Sequence, residues 1–310
     1  MQGKHDDSPG EGSGRLAHIP VLLSEVLEYL SPRSGGIYVD ATLGFGSYAQ
    51  AILEASAPSG RLVAFDRDRG AIEAAGTRFA GLSERFSPVW GSFAVLDRHL
   101  DALAFDRVDG IVADLGLSSL QLDDAERGFA FLHEGPLDMR FDRTRGPTAA
   151  ELVNEMEERE LAGVLREYGD ERRASKIARR IVSRRPLRTT ADLRRAVVSV
   201  LGPRKGKIDP ATRTFQALRI AVNREMEALD AFLQKAPERL RVGGRLVVVS
   251  YHSLEDRAVK IAFRTLSKRP EEGEARYRLL TKKPLTATPA ETARNRRARS
   301  AKLRALERVA

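Results

Sequence analysis

Residues 39–48, with the sequence VDATLGFGSY, constrain the fold of this 310-residue chain more than any other stretch. An apolar strand ends at Asp40 and runs into a turn that contains Gly44 and Gly46, and the helix-forming residues 49–57 follow. A strand, a glycine turn and a helix in this order are typical of the nucleotide-binding start of an α/β sheet, because glycine lets the backbone approach a ligand closely. The pattern predicts a cofactor site at this turn.

Two cofactors fit this turn. Residues 44–49 match the dinucleotide-binding pattern with alanine in the last position, and Asp66 ends the next strand, where a ribose-binding acid is expected, so NAD is one candidate. Asp40 argues against NAD, because a carboxylate ahead of the turn would repel a pyrophosphate held at the helix N-terminus. S-adenosylmethionine carries an ammonium group and a sulfonium but no phosphate, so it fits this acid better. The alternative is that Asp40 only caps the turn.

Acids recur at the ends of the predicted parallel strands. Three strands end in carboxylates, at Asp40, Asp66 and Asp114. Because ligands of such sheets lie beyond the carboxyl ends of the strands, we expect the three side chains to lie around one site. Turn capping explains three buried charges poorly, since each would cost desolvation free energy without a ligand or donor. Phe93, after the strand at residues 86–90, is placed to pack on an adenine or in the core, and Trp90 is predicted to pack in the core.

The alternation of strands and helices stops after residue 124. The next segments read as helices, at residues 149–168, 171–185, 190–201 and 215–239. The sheet then resumes at residues 245–250, and two later segments, 277–282 and 301–306, are predicted as antiparallel edge strands.

This order predicts an α/β fold whose sheet domain is interrupted by a second domain. The sheet domain comprises residues 15–124 and 216–310, and an all-helical domain of residues 125–215, which we expect to recognise the substrate, is inserted into it. Residues 1–14 are polar and rich in glycine and are predicted to be disordered.

Charge and cysteine content limit the partners and the chemistry. The net charge of +9 predicts a polyanionic partner, and nucleic acid is favoured over membrane because no apolar run is long enough to span a bilayer. The chain has no cysteine, which excludes disulfides, thiolate zinc sites and cysteine nucleophiles. Together with the lack of a signal peptide, this predicts a cytoplasmic protein. No metal is expected, and a homodimer is compatible with the sequence.

Basic residues concentrate in the predicted insertion and near the C-terminus. A solvated helix face would explain either cluster alone, whereas phosphate contacts would explain both. Residues 210–219 combine hydroxyl, amide, aromatic and guanidinium groups, a mixture that suits RNA. The predicted RNA-binding residues are Arg179, Arg180, Arg184, Arg185, Arg213 and Arg219.

From His18 almost to the C-terminus, the chain resembles the bacterial 16S ribosomal RNA cytosine-N4 methyltransferases, the family known as RsmH or MraW. The resemblance rests on residues 40–48, 113–119, 121–129, 135–140, 210–219 and 250–257. It implies a class I (Rossmann-like) methyltransferase sheet with an inserted helical domain, and S-adenosylmethionine as the methyl donor. The implied substrate is a cytidine in the decoding region of the small ribosomal subunit.

The resemblance also implies donor-binding residues, which fall on Gly46, Ser47, Tyr48, Asp66, Phe93, Asp114 and Gln121. We add Asp40 and Gly44 from the turn itself. The family usually has Gly-Gly-His at residues 46–48 and Ser-Ser-Pro-Gln at residues 118–121, so this chain departs from its pattern at both places. Backbone contacts survive such changes more easily than side-chain contacts, of which Tyr48 would make one.

The residues also limit the reaction. Methylation at C5 of cytosine normally needs a cysteine nucleophile, which is absent, whereas attack by the exocyclic amine needs only alignment. Asp114 is predicted either to accept the amine protons or only to hold the donor. His252 is predicted to contact the base, to relay a proton, or to have a capping or orienting role. Two other classes stay open: an NAD-linked oxidoreductase and a non-catalytic rRNA-binding assembly factor.

Overall fold

Seven strands form one sheet in the computed structural model, which describes residues 20–131, 134–204, 206, 208–269 and 274–310. The predicted disordered segment, residues 1–14, lies outside these ranges. In chain order the strands are β1 (Ile37–Asp40), β2 (Arg61–Asp66), β3 (Phe86–Trp90), β4 (Val108–Asp114), β5 (Leu240–Ser250), β6 (Tyr277–Leu279) and β7 (Lys302–Arg308).

The sheet has the order β3-β2-β1-β4-β5-β7-β6. Strands β1 to β5 pair in parallel, and β7 pairs antiparallel with both β5 and β6. The winding reverses between β1 and β4, which creates the crevice where α/β sheets bind ligands. The two predicted late strands are antiparallel to their neighbours, but only β6 lies at the edge, because β7 is paired on both sides.

Helices connect the strands and cover the sheet. They are α1 (Leu23–Leu30), α2 (Ser47–Ala55), α3 (Arg69–Arg78), α4 (Leu96–Ala102), α5 (Ser119–Asp123), α6 (Ala149–Glu155), α7 (Glu158–Gly169), α8 (Ala174–Val182), α9 (Thr190–Leu201), α10 (Thr212–Asn223), α11 (Glu225–Lys235), α12 (Ser253–Leu266) and α13 (Pro289–Arg294). Throughout the ranges described, no helix combines the length and the apolarity needed to cross a bilayer.

The sheet separates two apolar cores. Tyr38 of β1 belongs to the core that includes Val26 and Ile52, whereas its neighbour Val39 belongs to the core that includes Phe232 and Phe263. This alternation follows from the two-residue period of a strand, which sends successive side chains to opposite faces. Helices α1 and α2 therefore cover one face, and α11 and α12 cover the other.

A third apolar core lies among the helices that interrupt the sheet, from Phe129 to Val222. Helix α10 contributes Phe215 and Leu218 to it, so the domain boundary expected between residues 215 and 216 falls inside one helix. The division into domains otherwise stays a prediction.

The prediction for Trp90 is wrong. Its side chain is 43% exposed because it ends β3, the edge strand of the sheet. The Arg69 guanidinium lies 5.6 Å from the centre of its ring, and the indole Nε1 donates a hydrogen bond to the Arg67 carbonyl at 3.1 Å. The ring thus packs on the segment that follows β2.

Candidate active site

A cleft of about 470 Å³ opens at the carboxyl ends of β1, β2 and β4, where the winding of the sheet reverses. Seven of the nine residues predicted to bind the cofactor line it: Gly44, Ser47, Tyr48, Asp66, Phe93, Asp114 and Gln121. The other two, Asp40 and Gly46, are buried and do not line it. The structure therefore brings most of the predicted site together.

Asp66 is held in place by backbone amides. Its Oδ2 accepts a hydrogen bond from Gly44 N at 2.8 Å, and its Oδ1 accepts one from Asp68 N at 2.8 Å. Gly44 has a φ of +49°, a conformation that side chains disfavour, and this turns its amide toward the acid. Burial raises the pKa of Asp66 to about 6, although both amides oppose the shift. Ligand hydroxyls or a cation would therefore stabilise its ionised form.

Asp40 is fully buried, and its neighbours Ala41 and Thr42 line the cleft in its place. Its Oδ1 accepts a hydrogen bond from Thr42 N at 3.1 Å, while its Oδ2 has no partner in the part of the chain that the structure describes. Burial and the nearby Asp66 raise the pKa of Asp40 to about 7. Asp40 is therefore not placed to contact a cofactor directly, but its negative charge would attract a cation in the cleft.

Asp114 faces the cleft at the end of β4. Its amide donates to Thr42 Oγ1 at 2.7 Å, and its Oδ1 accepts a hydrogen bond from the Tyr251 hydroxyl at 2.7 Å. Burial raises its pKa to about 7, against the effect of Tyr251 and with help from Asp40 and Glu255. Sequence reasoning missed Tyr251 as a partner, although its position directly after β5 was a usable signal.

Gly46 and Tyr48 serve packing at least as much as binding. Gly46 has a φ of +74° just before α2, and a Cβ there would lie 2.9 Å from the ring of Phe79. Tyr48 is buried and its hydroxyl donates to the Val21 carbonyl, although its side chain also lines the cleft. Ser47 lines the cleft at the first residue of α2.

Gln121 and Phe93 complete the predicted set. Gln121 caps α5 through its Oε1, which accepts from Ser118 N at 3.1 Å, and its Nε2 donates to Asp68 Oδ2 at 3.3 Å. Phe93 packs edge-on against Phe232, with 5.1 Å between ring centres, and also lines the cleft. Both alternatives for Phe93, contact with core and contact with ligand, are therefore compatible with its position.

His252 caps the start of α12 and borders the cleft. Its Nδ1 is 3.5 Å from Glu255 N, and its Nε2 lies 3.0 Å from Glu255 Oε1 in a geometry that makes no hydrogen bond. Burial disfavours ionised Glu255, but His252 and Arg219 outweigh this and hold its pKa below the usual range.

One group of three side chains among the residues described could hold a cation: Glu225, His252 and Glu255. Both oxygens of Glu225 already accept hydrogen bonds from Arg219, at 2.7 and 2.8 Å. A fixed guanidinium so close would repel a metal ion. The expectation that no metal binds stays a prediction.

The helical insertion forms part of the wall of the cleft. Thr212, Gln216 and Arg219 of α10 line it, at the spacing that places side chains on one face of a helix. Gln216 is fixed by a hydrogen bond from its Nε2 to the Tyr168 carbonyl at 3.1 Å. Residues from both parts of the chain thus enclose the same space.

The predicted RNA-binding arginines differ in their surroundings. Arg184 is exposed, and Arg179 is exposed with its Nε 3.3 Å from Glu158 Oε1. Arg180 donates to Ser199 Oγ at 2.8 Å, and Arg213 donates to the Asp170 carbonyl at 3.1 Å.

Two of these arginines are held inside the protein. Arg185 donates to the carbonyls of Val153, at 2.8 Å, and Met156, and so ties the end of α6. Arg219 lies in the cleft, paired with Glu225, rather than on an exposed face.

The strand order, with one antiparallel strand between β5 and β6, and a cleft surrounded by acids that favour a cationic ligand define a class I methyltransferase that uses S-adenosylmethionine. The three acids disfavour the pyrophosphate of NAD for the same electrostatic reason. The chain belongs to the MraW methylase family, whose sequence profile matches residues 15–309. The predicted fold class and methyl donor are therefore confirmed.

Two relatives of similar sequence agree with this assignment. The chain is 50% identical over 309 residues to the ribosomal RNA small subunit methyltransferase H of Geobacter sulfurreducens, covering 95% of this chain and 99% of that one. It is 52% identical over 296 residues to the protein of the same name from Sorangium cellulosum, covering 94% and 91%. A crystal structure of a putative rRNA methylase from Clostridium thermocellum aligns with a TM-score of 0.47 at 13% identity, covering 94% and 99%.

Proposed function

We propose that this protein transfers a methyl group from S-adenosylmethionine to the exocyclic N4 amine of a cytidine in the decoding region of 16S rRNA. The observation that carries the proposal is Asp114, a cleft-facing acid at the switch point that Tyr251 holds by one oxygen. The relatives that share about half of its residues are named as small-subunit rRNA methyltransferases, which supports the substrate class.

The reaction requires the protein mainly to position the methyl donor and the base. S-adenosylmethionine supplies a methyl group activated by a positively charged sulfur. Asp66, Gly44 and the neighbouring loops hold the donor, and the amine of the base must meet the methyl group in line. Direct attack explains why a chain without cysteine can perform the reaction.

Asp114 is the proton acceptor in this proposal. Its Oδ1 is occupied by Tyr251, which leaves Oδ2 for the N–H of the base. A hydrogen bond to that N–H helps to free the lone pair of an amine that is conjugated with its ring, and the amine loses a proton when it takes the methyl group. Since the pKa of Asp114 is about 7 before a cationic donor is bound, donor binding would favour the ionised acid that this role needs.

His252 has the lesser chemical role. Its Nε2 is enclosed and its Nδ1 faces the first turn of α12, so capping and orientation explain its position better than a proton relay. The exposed arginines, chiefly Arg184 and Arg179, are assigned to phosphate contacts. Arg180 and Arg213 each donate a hydrogen bond to another part of the protein. The helical insertion would thus provide the RNA surface.

The direct test is methyl transfer from labelled S-adenosylmethionine to small subunits from cells that lack the modification, followed by mapping of the modified nucleoside. We expect label in N4-methylcytidine within the decoding region, and its loss with Asp114→Asn while donor binding is retained. Label on another base or in another RNA would contradict the proposal. No transfer, with subunit binding retained, would favour the non-catalytic assembly factor.

A further inference from the structure

We propose that Arg219 reads the target base, by donating hydrogen bonds to the N3 and O2 edge of cytosine from the N–H groups of its Nη1 and Nη2 that Glu225 leaves free. The inference rests on the proposed function and deepens it, because it assigns the group that selects cytosine.

Arg219 is fixed by a two-pronged ion pair. Its Nε donates to Glu225 Oε1 at 2.7 Å and its Nη2 donates to Glu225 Oε2 at 2.8 Å. Both side chains are only 12% exposed. These bonds leave both N–H groups of Nη1 and the second N–H group of Nη2 without an acceptor among the residues that the structure describes, although Arg219 lines the cleft. A bound ligand would have to satisfy these donors, because leaving them unpaired in an enclosed site costs free energy.

The pairing argues against a phosphate as that ligand. Glu225 neutralises the charge of Arg219, so the pair adds little of the net positive potential that drives binding of the RNA backbone. The pair does fix the orientation of the remaining N–H donors, because the guanidinium plane cannot rotate while both bonds hold. A directional, neutral donor suits a base edge better than a phosphate.

Arg219 and the predicted proton acceptor, Asp114, line the same cleft. Glu255 acts electrostatically on both Arg219 and Asp114, and all three residues line the cleft. The cleft therefore offers an acceptor, Asp114, and a fixed donor, Arg219, which both interact with Glu255.

Cytosine carries the complementary pattern. Its N4 amine donates hydrogen bonds, and the adjacent N3 and O2 accept them, whereas uracil has an N–H donor at N3. With N4 toward Asp114, N3 and O2 would face Arg219. A site built around a fixed donor rejects a base that presents another donor there, because both groups are then left unpaired.

The test is a cycle that combines a change in the enzyme with a change in the base. Reconstituted small subunits carry either cytidine or 3-deazacytidine, which replaces N3 by C–H, at the methylated position, and single-turnover methylation is measured. For the wild-type enzyme we expect the deaza substitution to slow transfer by roughly 10- to 100-fold. For Arg219→Lys, which keeps the charge but loses the fork, the deaza substitution should slow transfer much less than it does for the wild-type enzyme.

The controls separate base reading from a structural role. Any intrinsic change in amine reactivity affects both enzymes and cancels in the cycle. Melting temperature and donor affinity establish that Arg219→Lys is folded, and Glu225→Gln, which loosens the guanidinium without removing it, should also reduce the deaza effect. An equal deaza effect in wild type and both variants would overturn the inference while leaving the proposed function intact.

The salt dependence of subunit binding tests the phosphate alternative. Arg219→Gln should leave the slope of affinity against salt unchanged if Arg219 contacts the base. A slope lower by about one unit would identify a phosphate contact and overturn the inference. Failure of the wild-type enzyme to methylate the unmodified cytidine would instead refute the proposed function on which the inference rests.

Discussion

At the scale of single residues, three carboxylates share one physical problem. Asp40, Asp66 and Asp114 are enclosed at strand ends, and burial raises the pKa of each toward neutrality. The sequence predicted their convergence, because parallel strands end at one edge of a sheet. It did not predict that Asp40 is fully buried and does not line the cleft, because one residue of register decides the face on which a side chain lies.

Replacing Asp66 should weaken donor binding. In Asp66→Ala the amides of Gly44 and Asp68 lose their acceptor, and the expected bonds to the donor hydroxyls are lost as well. We expect the dissociation constant for S-adenosylmethionine to rise by about tenfold or more in calorimetric titrations. Glu73→Ala, on the exposed side of α3, is the matched control, and an unchanged affinity in Asp66→Ala would refute the assignment.

Asp40 should make stability depend on pH. Its pKa is about 7 in the folded protein against 3.8 as its ordinary value, so the folded state holds the proton more tightly. Its contribution is therefore complete below pH 4 and is lost as pH rises toward 8. Asp40→Asn keeps an acceptor for Thr42 N and does not titrate, so its free energy of unfolding should fall less than that of wild type between pH 5 and pH 8.

Urea unfolding of the donor-free proteins at both pH values gives this difference. It should approach, and not exceed, about 2.7 kcal/mol, because about two pH units separate pH 5 from the folded pKa of about 7 and each unit contributes about 1.36 kcal/mol. Parallel pH profiles for wild type and Asp40→Asn would show that Asp40 does not titrate in this range.

At the scale of elements, clear local signals gave accurate predictions. Strand β3 and helix α9 have the bounds expected from the sequence, and α9 begins with the Thr189 cap and its partner Asp192. Two breaks were missed: the predicted helix 149–168 is divided between α6 and α7, and the predicted helix 215–239 is divided at Arg224. Arg224 adopts a φ of +50°, which favours glycine or asparagine, so no local residue signalled the break.

Two neighbouring arginines after α8 should behave differently. Arg185→Ala removes the donors that hold the carbonyls of Val153 and Met156, and should destabilise the protein by ~1–3 kcal/mol. Arg184→Ala should change stability by less than about 0.5 kcal/mol. It should instead lower the salt slope of subunit binding by about one unit, if Arg184 contacts a phosphate.

Urea unfolding and binding at several salt concentrations, made on both variants, check this pair of predictions. Wild-type stability in Arg185→Ala would contradict the prediction for Arg185. A wild-type salt slope of subunit binding in Arg184→Ala would contradict the prediction for Arg184. The comparison distinguishes Arg185, which stabilises the fold, from Arg184, which is exposed and could contact RNA.

At the scale of the whole molecule, the insertion is tied to the donor site. Arg127 pairs with Asp68 and also donates to the carbonyls of Arg140 and Phe141 at 3.0 Å. Asp68 in turn accepts from Gln121, which lines the cleft. These contacts join segments far apart in the chain, so periodicity and local motifs gave no sign of them.

Arg127→Ala should therefore weaken donor binding although Arg127 does not line the cleft. Loss of the ion pair frees Asp68 and removes its support from Gln121, and we expect affinity to fall by about 1 kcal/mol in calorimetric titrations. Arg143→Ala, at a half-exposed site 3.8 Å from Asp138, is the control and should bind normally. Equal affinities for the two variants would show that the donor site is independent of this link.

The strand order also affects how the chain folds while it is being synthesised. Strand β5 pairs with β4, yet residues 115–239 separate the two in the sequence. At ~5–20 residues per second, translation takes roughly ten seconds to deliver the missing neighbour. During that interval β4 is an edge strand of the incomplete sheet, and its unpaired amides and carbonyls could pair with a strand of another chain. Nascent-chain chaperones thus have a defined moment at which to act.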